Sequence, residues 1–211
     1  MTPHAFPLVG SLVIVAGLSR LASSRGRWET GPLATAILLG TAAAAMVAAL
    51  FLEGLIATVA PWPPWVGLAL VTPLVEELLR FLVLQMAGVT TLGPATLAGG
   101  MMGLTETAFV LLRGPAGVET LAFRALASVP LHSFCGGGLG TGRGFLPIAM
   151  GTHLVFNLGF AIGGLPGYAV SLGGLGILAG FWLALVLAHP APGETEAPSP
   201  PLRKGPSPER T

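Results

Sequence analysis

Val71-Thr-Pro-Leu-Val-Glu-Glu-Leu-Leu-Arg80 is the stretch whose reading decides the fold. It places two adjacent carboxylates, Glu76 and Glu77, and one guanidinium, Arg80, inside an apolar run from Trp65 to about Gly88. About 20 predominantly apolar residues suffice to cross a bilayer as a helix. Each charge near the centre of such a helix costs roughly 2.5–3.5 kcal/mol on insertion scales. Three charges so close together are tolerated when they pair and face a protein interior or a wet cavity, and such a cluster reads first as a functional site.

The rest of the chain agrees with a membrane setting. Of its 211 residues 53% are hydrophobic and 9% charged, and the mean hydropathy is +0.80. Soluble domains carry about 25% charged residues. The expected fold class is therefore all-α, a polytopic transmembrane helical bundle of about seven spanning helices. The net charge of +1 says nothing about nucleic acid, but the sequence lacks the basic cluster that nucleic-acid binding needs, so no such partner is expected. Aspartate is absent, and four of the nine acidic residues (Glu53, Glu76, Glu77, Glu106) lie in or beside apolar segments. Cys135 is the single cysteine, which excludes an intramolecular disulfide and a cysteine metal cluster; it reads as a small packing residue. The first apolar run lacks a charged leader and a cleavage site, so it is expected to be a retained helix rather than a signal peptide.

The expected segments are Ala5 to Gly17 or Leu21, Pro32 to Ala60, Trp65 to Gly88, Pro94 to Leu112, Thr120 to Gly140, Phe145 to Gly163 and Pro166 to Ala188. Residues 1–188 form one integral membrane domain with a motif core at 65–163, and the Pro-rich stretch 189–211 is expected to be disordered. Trp28, Trp62 and Trp65 mark interfaces, with Pro61-Trp-Pro-Pro-Trp65 as a turn. Glu53 reads as an interfacial carboxylate near a helix end. Pro73 is expected to kink its helix and free a carbonyl near the charges. Gly136-Gly-Gly-Leu-Gly140 reads as close helix packing, since no phosphate-loop Lys or Ser/Thr follows it. The polar loop Arg113 to Glu119 would carry Arg113 to one side of the membrane. Arg20, Arg25, Arg27, Arg143, Arg203, Lys204 and Arg210 would lie on the other. That bias predicts an outside N-terminus and a cytoplasmic C-terminal tail.

Helical rise from the expected segment ends puts Glu76, His132 and His153 all about 15–18 Å deep, near mid-bilayer, and Glu106 nearer 9 Å. Glu76 and Arg80 share a helix face at i,i+4, as do His153 and Asn157. Four helices thus offer convergent polar groups: Glu76 with Glu77, Glu106, His132, and His153 with Asn157. A carboxylate with two imidazoles can activate a water as general base, bind a divalent metal such as Zn2+, or relay protons in a transporter. Any one of these residues alone is better read as an interhelical hydrogen bond; the set at matching depth reads as a site.

Glu76-Glu-Leu-Leu-Arg80 resembles the EExxR/K motif of the CAAX-protease and bacteriocin-processing superfamily of intramembrane proteases, and the pattern is most similar to its PrsW branch. Gly100-Met-Met-Gly-Leu-Thr-Glu106 resembles the second motif, Arg124 through Pro130-Leu-His132 the third, and His153-Leu-Val-Phe-Asn157 the last. The likeness covers about residues 65–160, in order. The branch commonly has lysine where Arg80 stands, asparagine where Thr107 stands, and aromatic residues before the second-motif glutamate, which this chain lacks. The resemblance implies an endopeptidase that cleaves a peptide bond in or near the bilayer. Glu76 would be the general base, with Arg80 keeping it charged and Glu77 pairing with Arg80 or assisting. His132 would hold the water, and His153 and Asn157 would polarise the scissile carbonyl. Glu106 is a supporting residue. The implied substrate is a membrane-embedded protein or peptide, such as an anti-sigma-factor-like regulator, with a lipid-modified peptide as the other option. The resemblance implies either a metalloprotease, as the PrsW branch is usually labelled, or a glutamate-dependent enzyme like related CAAX proteases; in the first case a zinc ion would be held by Glu76, His132 and His153, with Glu106 as a fourth candidate, although HExxH spacing is absent. Two other classes compete: a non-catalytic membrane scaffold of the same superfamily, and a proton-coupled transporter, for which an internal repeat would be expected and none is evident.

Overall fold

The computed structural model describes residues 5–24, 31–60, 62–113 and 117–188. Expectations placed on Arg25, Arg27, Trp28, Pro61, residues 114–116 and the tail from His189, with Arg203, Lys204 and Arg210, lie outside the described residues. The secondary structure of the described residues is helical, without strands. It comprises α1 (Ala5–Ser23), α2 (Pro32–Val59), α3 (Pro64–Val66), α4 (Thr72–Met86), α5 (Leu92–Arg113), α6 (Val118–Phe123), α7 (Val129–Gly140), α8 (Leu146–Ile162) and α9 (Gly164–Ala188). Wide π turns at Gly67–Val71 and Arg124–Ser128 join α3 to α4 and α6 to α7 without a break, and a 3₁₀ turn, Arg143–Phe145, leads into α8.

Prolines explain much of this segmentation. Pro32, Pro64, Pro94, Pro147 and Pro166 stand in first turns, where a missing N–H costs nothing. Pro73 and Pro130 stand inside continuous rods, where the ring would strike the carbonyl four residues back. Each is preceded by one of the π turns. Thr72 N–H reaches back to Gly67 O, and Val129 N–H to Arg124 O, in five-residue hydrogen bonds. The extra residue makes room for the ring. It also strips Leu68 O of a backbone donor, because Thr72 has turned to Gly67 and Pro73 has no N–H. Asn157 Nδ2 donates to that oxygen at 3.1 Å, tying α8 to the π turn. The freed carbonyl is Leu68 O, eight residues before Glu76 rather than beside the charges.

Four stretches are long and apolar enough to cross a membrane: Pro32–Val59, Leu92–Arg113, Arg143–Ile162 and Gly164–Ala188. Val9–Ser23 is a shorter apolar helix. The outer faces are apolar, with Leu33, Phe51, Val59 and Leu112 all more than 70% exposed, while Glu76, Glu77 and Arg80 are at most 1% exposed. Large exposed apolar faces around a charged interior are the reverse of a water-soluble domain and are compatible with a membrane protein.

The tightest packing is between α5 and α7. Small residues permit it. A Cβ on Gly99 would collide with His132 O and lie 3.0 Å from Gly136 Cα, and one on Gly136 would collide with Ala95 O. The glycine run ending α7 is thus spent on close approach: a Cβ on Gly137, Gly138 or Gly140 would likewise strike α5, α9 or Phe145. Trp182 of α9 seals this side, donating Nε1–H to Thr96 Oγ1 at 3.2 Å.

Candidate functional site

The two proline-relieved rods carry the centre of the site. Glu76, Glu77 and Arg80 follow Pro73 on α4, and His132 follows Pro130 on α7. Glu106 comes from α5, His153 and Asn157 from α8. Glu77, Arg80, His132 and His153 are at most 3% exposed. Six of the seven residues expected to form the site are joined by contacts with one another, and Asn157 is tied to Leu68 O beside them.

Glu77 Oε1 is paired with Arg80 Nη1 and also meets His153 Nδ1 at 2.7 Å. Arg80 Nη2 contacts His132 Nδ1. On the far side of His132, Nε2 lies 3.1 Å from Glu106 Oε2. Glu106 in turn accepts from Ser128 Oγ at 3.1 Å and pairs with Arg124 Nη1 at 2.9 Å. Glu76 is different. Neither of its carboxylate oxygens receives a hydrogen bond from the protein. Its Oε2 lies 3.8 Å from His132 Nε2 and 3.7 Å from His153 Nε2. The two rings stand edge to face, 5.2 Å apart.

Partner chemistry assigns the tautomers. A guanidinium only donates, so His132 Nδ1 presents its lone pair to Arg80, and the ring proton sits on Nε2, aimed at Glu106 and Glu76. A carboxylate paired with arginine accepts, so His153 Nδ1 carries the proton bound by Glu77, and in the neutral ring its Nε2 presents a lone pair toward Glu76. The Glu76 carboxylate therefore faces one imidazole donor and one imidazole acceptor.

Glu76, His132 and His153 each offer a ligand atom within 4.8 Å of the others, and by spacing this group could hold a metal ion. Tetrahedral zinc with bonds of about 2.0–2.1 Å asks for ligand separations of about 3.4 Å. The carboxylate–imidazole separations of 3.7 and 3.8 Å are a little wider. The tautomers are a sharper test. Ligation through His132 Nε2 needs a lone pair there, and Arg80 at Nδ1 places a proton there instead. Zinc ligation through His132 Nε2 would therefore require Arg80 to turn away from Nδ1.

Sequence reasoning did not assign roles to Arg124 and Ser128. The signal was available: Arg124, Ser128 and His132 recur at i, i+4, i+8 and share one face. Glu53, expected as an interfacial carboxylate near a helix end, is half-buried and accepts from Thr72 Oγ1 at 2.9 Å.

No protein-family model, curated protein or solved structure matches this chain.

Proposed function

We propose that the chain is an intramembrane endopeptidase that hydrolyses a peptide bond, in or near the bilayer, of a membrane-embedded or lipid-modified substrate. In this reading all seven helical rods span, with the N-terminus outside and the tail cytoplasmic. The observation that carries the proposal is Glu76: a carboxylate 1% exposed, without a protein hydrogen bond, flanked by two imidazole Nε2 atoms of opposite hydrogen-bonding sense.

That arrangement suits a water held between Glu76 and His153 Nε2, both of which accept its hydrogens. As the water oxygen attacks the scissile carbonyl carbon, its proton passes to Glu76. The carbonyl oxygen becomes an oxyanion and takes a hydrogen bond from His132 Nε2–H, which turns to it from Glu106. The second N–H of Asn157 is the other candidate donor, since its first is engaged by Leu68 O. Collapse breaks the C–N bond, and the proton on Glu76 goes to the leaving amine. This assigns the oxyanion donor to His132 and the water acceptor to His153, the opposite of the division expected from sequence. Glu77, Arg80, Glu106, Arg124 and Ser128 act by fixing the two rings.

The test is cleavage of a panel of single-span substrates by purified protein in lipid. Wild type and a chelated sample are expected to cleave, and Glu76→Gln is not. Loss on chelation, restored by zinc, would replace this mechanism with a metalloprotease. No cleavage by wild type, with a partner complex that survives Glu76→Gln, would favour the scaffold.

A further inference from the structure

A second polar group lies one helical turn from Glu76, and the chemistry above does not use it. Glu53 of α2 lines a cleft of about 390 Å³ between the end of α2, the Trp62–Pro64 connection and the π turn. Its Oε2 is satisfied by Thr72. Its Oε1 is buried and has no hydrogen-bond partner. The cation nearest to hand, Arg113, also lines the cleft, but its guanidinium is stacked on the Phe109 ring at 4.4 Å. Gly54 and Gly67 face the same cleft, and a Cβ on either would meet nothing within 4 Å, so the walls leave room for a side chain. Trp62, half-exposed, stands at the rim.

The cleft is continuous with the proposed site along the chain. Leu68 and Thr72 line it, and Glu76 follows Thr72 by four residues on the same face of α4. Four residues of helix rise about 6 Å. An extended peptide advances about 3.3 Å per residue. A substrate that runs along α4 with its scissile carbonyl at Glu76 brings the side chain about two residues away to the level of Thr72, the residue Glu53 contacts.

We propose that this cleft is a substrate subsite in which Glu53 receives a basic side chain of the polypeptide being cleaved. The inference rests on the endopeptidase reading and deepens it by naming a specificity-determining residue. A buried, unpartnered carboxylate oxygen beside a largely apolar cleft is matched best by a charged donor, because charge-assisted hydrogen bonds are the strong ones. The flexible apolar stem of lysine or arginine suits the Leu50, Ile56 and Ala57 wall.

The experiment uses the full chain in lipid nanodiscs. Single-span substrates carry lysine, norleucine or glutamate at each position within three residues of the cut, with a photo-crosslinker beside the varied residue. Cleavage ratios and crosslinking yield are read from the same samples for wild type, Glu53→Gln and Glu53→Arg. Wild type is expected to favour lysine over norleucine about tenfold at one position two residues from the cut, the size of one charge-assisted contact. Glu53→Gln is expected to lose that ratio, and Glu53→Arg to reverse it in favour of glutamate, which also shows that the variant is folded. Equal lysine-to-norleucine ratios in all three proteins, or a preference that survives Glu53→Arg, overturn the subsite. Crosslinking that depends on lysine and on Glu53 without any cleavage keeps the subsite and overturns the endopeptidase reading. Neither cleavage nor selective crosslinking overturns both.

Discussion

One added methyl group at Gly136 tests whether the α5–α7 contact sets the geometry of the site. A Cβ there would lie 2.8 Å from Gly99 Cα and closer still to Ala95 O. Non-bonded carbons rest about 3.5–4.0 Å apart, so the two helices must separate by about 1 Å. Both obstacles are backbone, and no side-chain rotation relieves them. His132 lies one turn before Gly136 on α7, while its partner Glu106 is on α5. Their contact of 3.1 Å would open to about 4 Å, beyond hydrogen-bond range. Overpacking of this kind costs about 1–3 kcal/mol of stability. A displacement of about 1 Å at a reacting group costs about 100-fold in rate. Gly136→Ala is therefore expected to remain folded, to melt several degrees lower at about 2–4 °C per kcal/mol, and to cleave about 100-fold more slowly. Gly40→Ala on the outer face of α2, where a Cβ meets nothing within 4 Å, is the control and should match wild type. The assays are thermal unfolding in detergent and cleavage in lipid. Gly136→Ala with wild-type melting and wild-type turnover would refute the claim that α5 and α7 are in backbone contact at the site.

Arg80→Met would leave Glu77 buried without its cation, a loss of about 3–5 kcal/mol in chemical unfolding. The double variant Arg80→Met/Glu77→Gln should recover part of that loss; a double variant no more stable than Arg80→Met would contradict the pairing. Asn157→Leu should destabilise by about 1 kcal/mol, because the part-buried hydrogen bond to Leu68 O is then lost. Pro73→Ala should blunt that effect by returning an N–H to the helix, and equal losses in both backgrounds would count against the freed carbonyl. A C-terminal epitope is expected to be digested by protease added to the cytoplasmic face of inverted vesicles and protected in intact cells; the reverse pattern would overturn the orientation.

The sequence by itself determined the helical rods and the polar residues they carry. Apolar runs bounded by Pro32, Pro64, Pro94, Pro147 and Pro166 are local signals, and a missing N–H marks a helix start whatever surrounds it. The unusual composition of the interior was also local, because charges such as Glu76, Glu77 and Arg80 stand out in an apolar run. Depth estimated from segment ends set Glu106 apart from His132, yet the two are in contact. Neighbouring helices slide relative to one another, and a glutamate side chain reaches further than helical rise records. The partner of each polar group was decided only by tertiary structure. Glu77 with His153, Arg80 with His132 and Glu106 with Arg124 join different helices, and backbone contact at Gly99 and Gly136 sets the register between α5 and α7. The tautomers of His132 and His153, and with them the division of chemical roles, follow from those partners. No spacing along a single helix contains that information, because a ring proton is placed by the group across the interface.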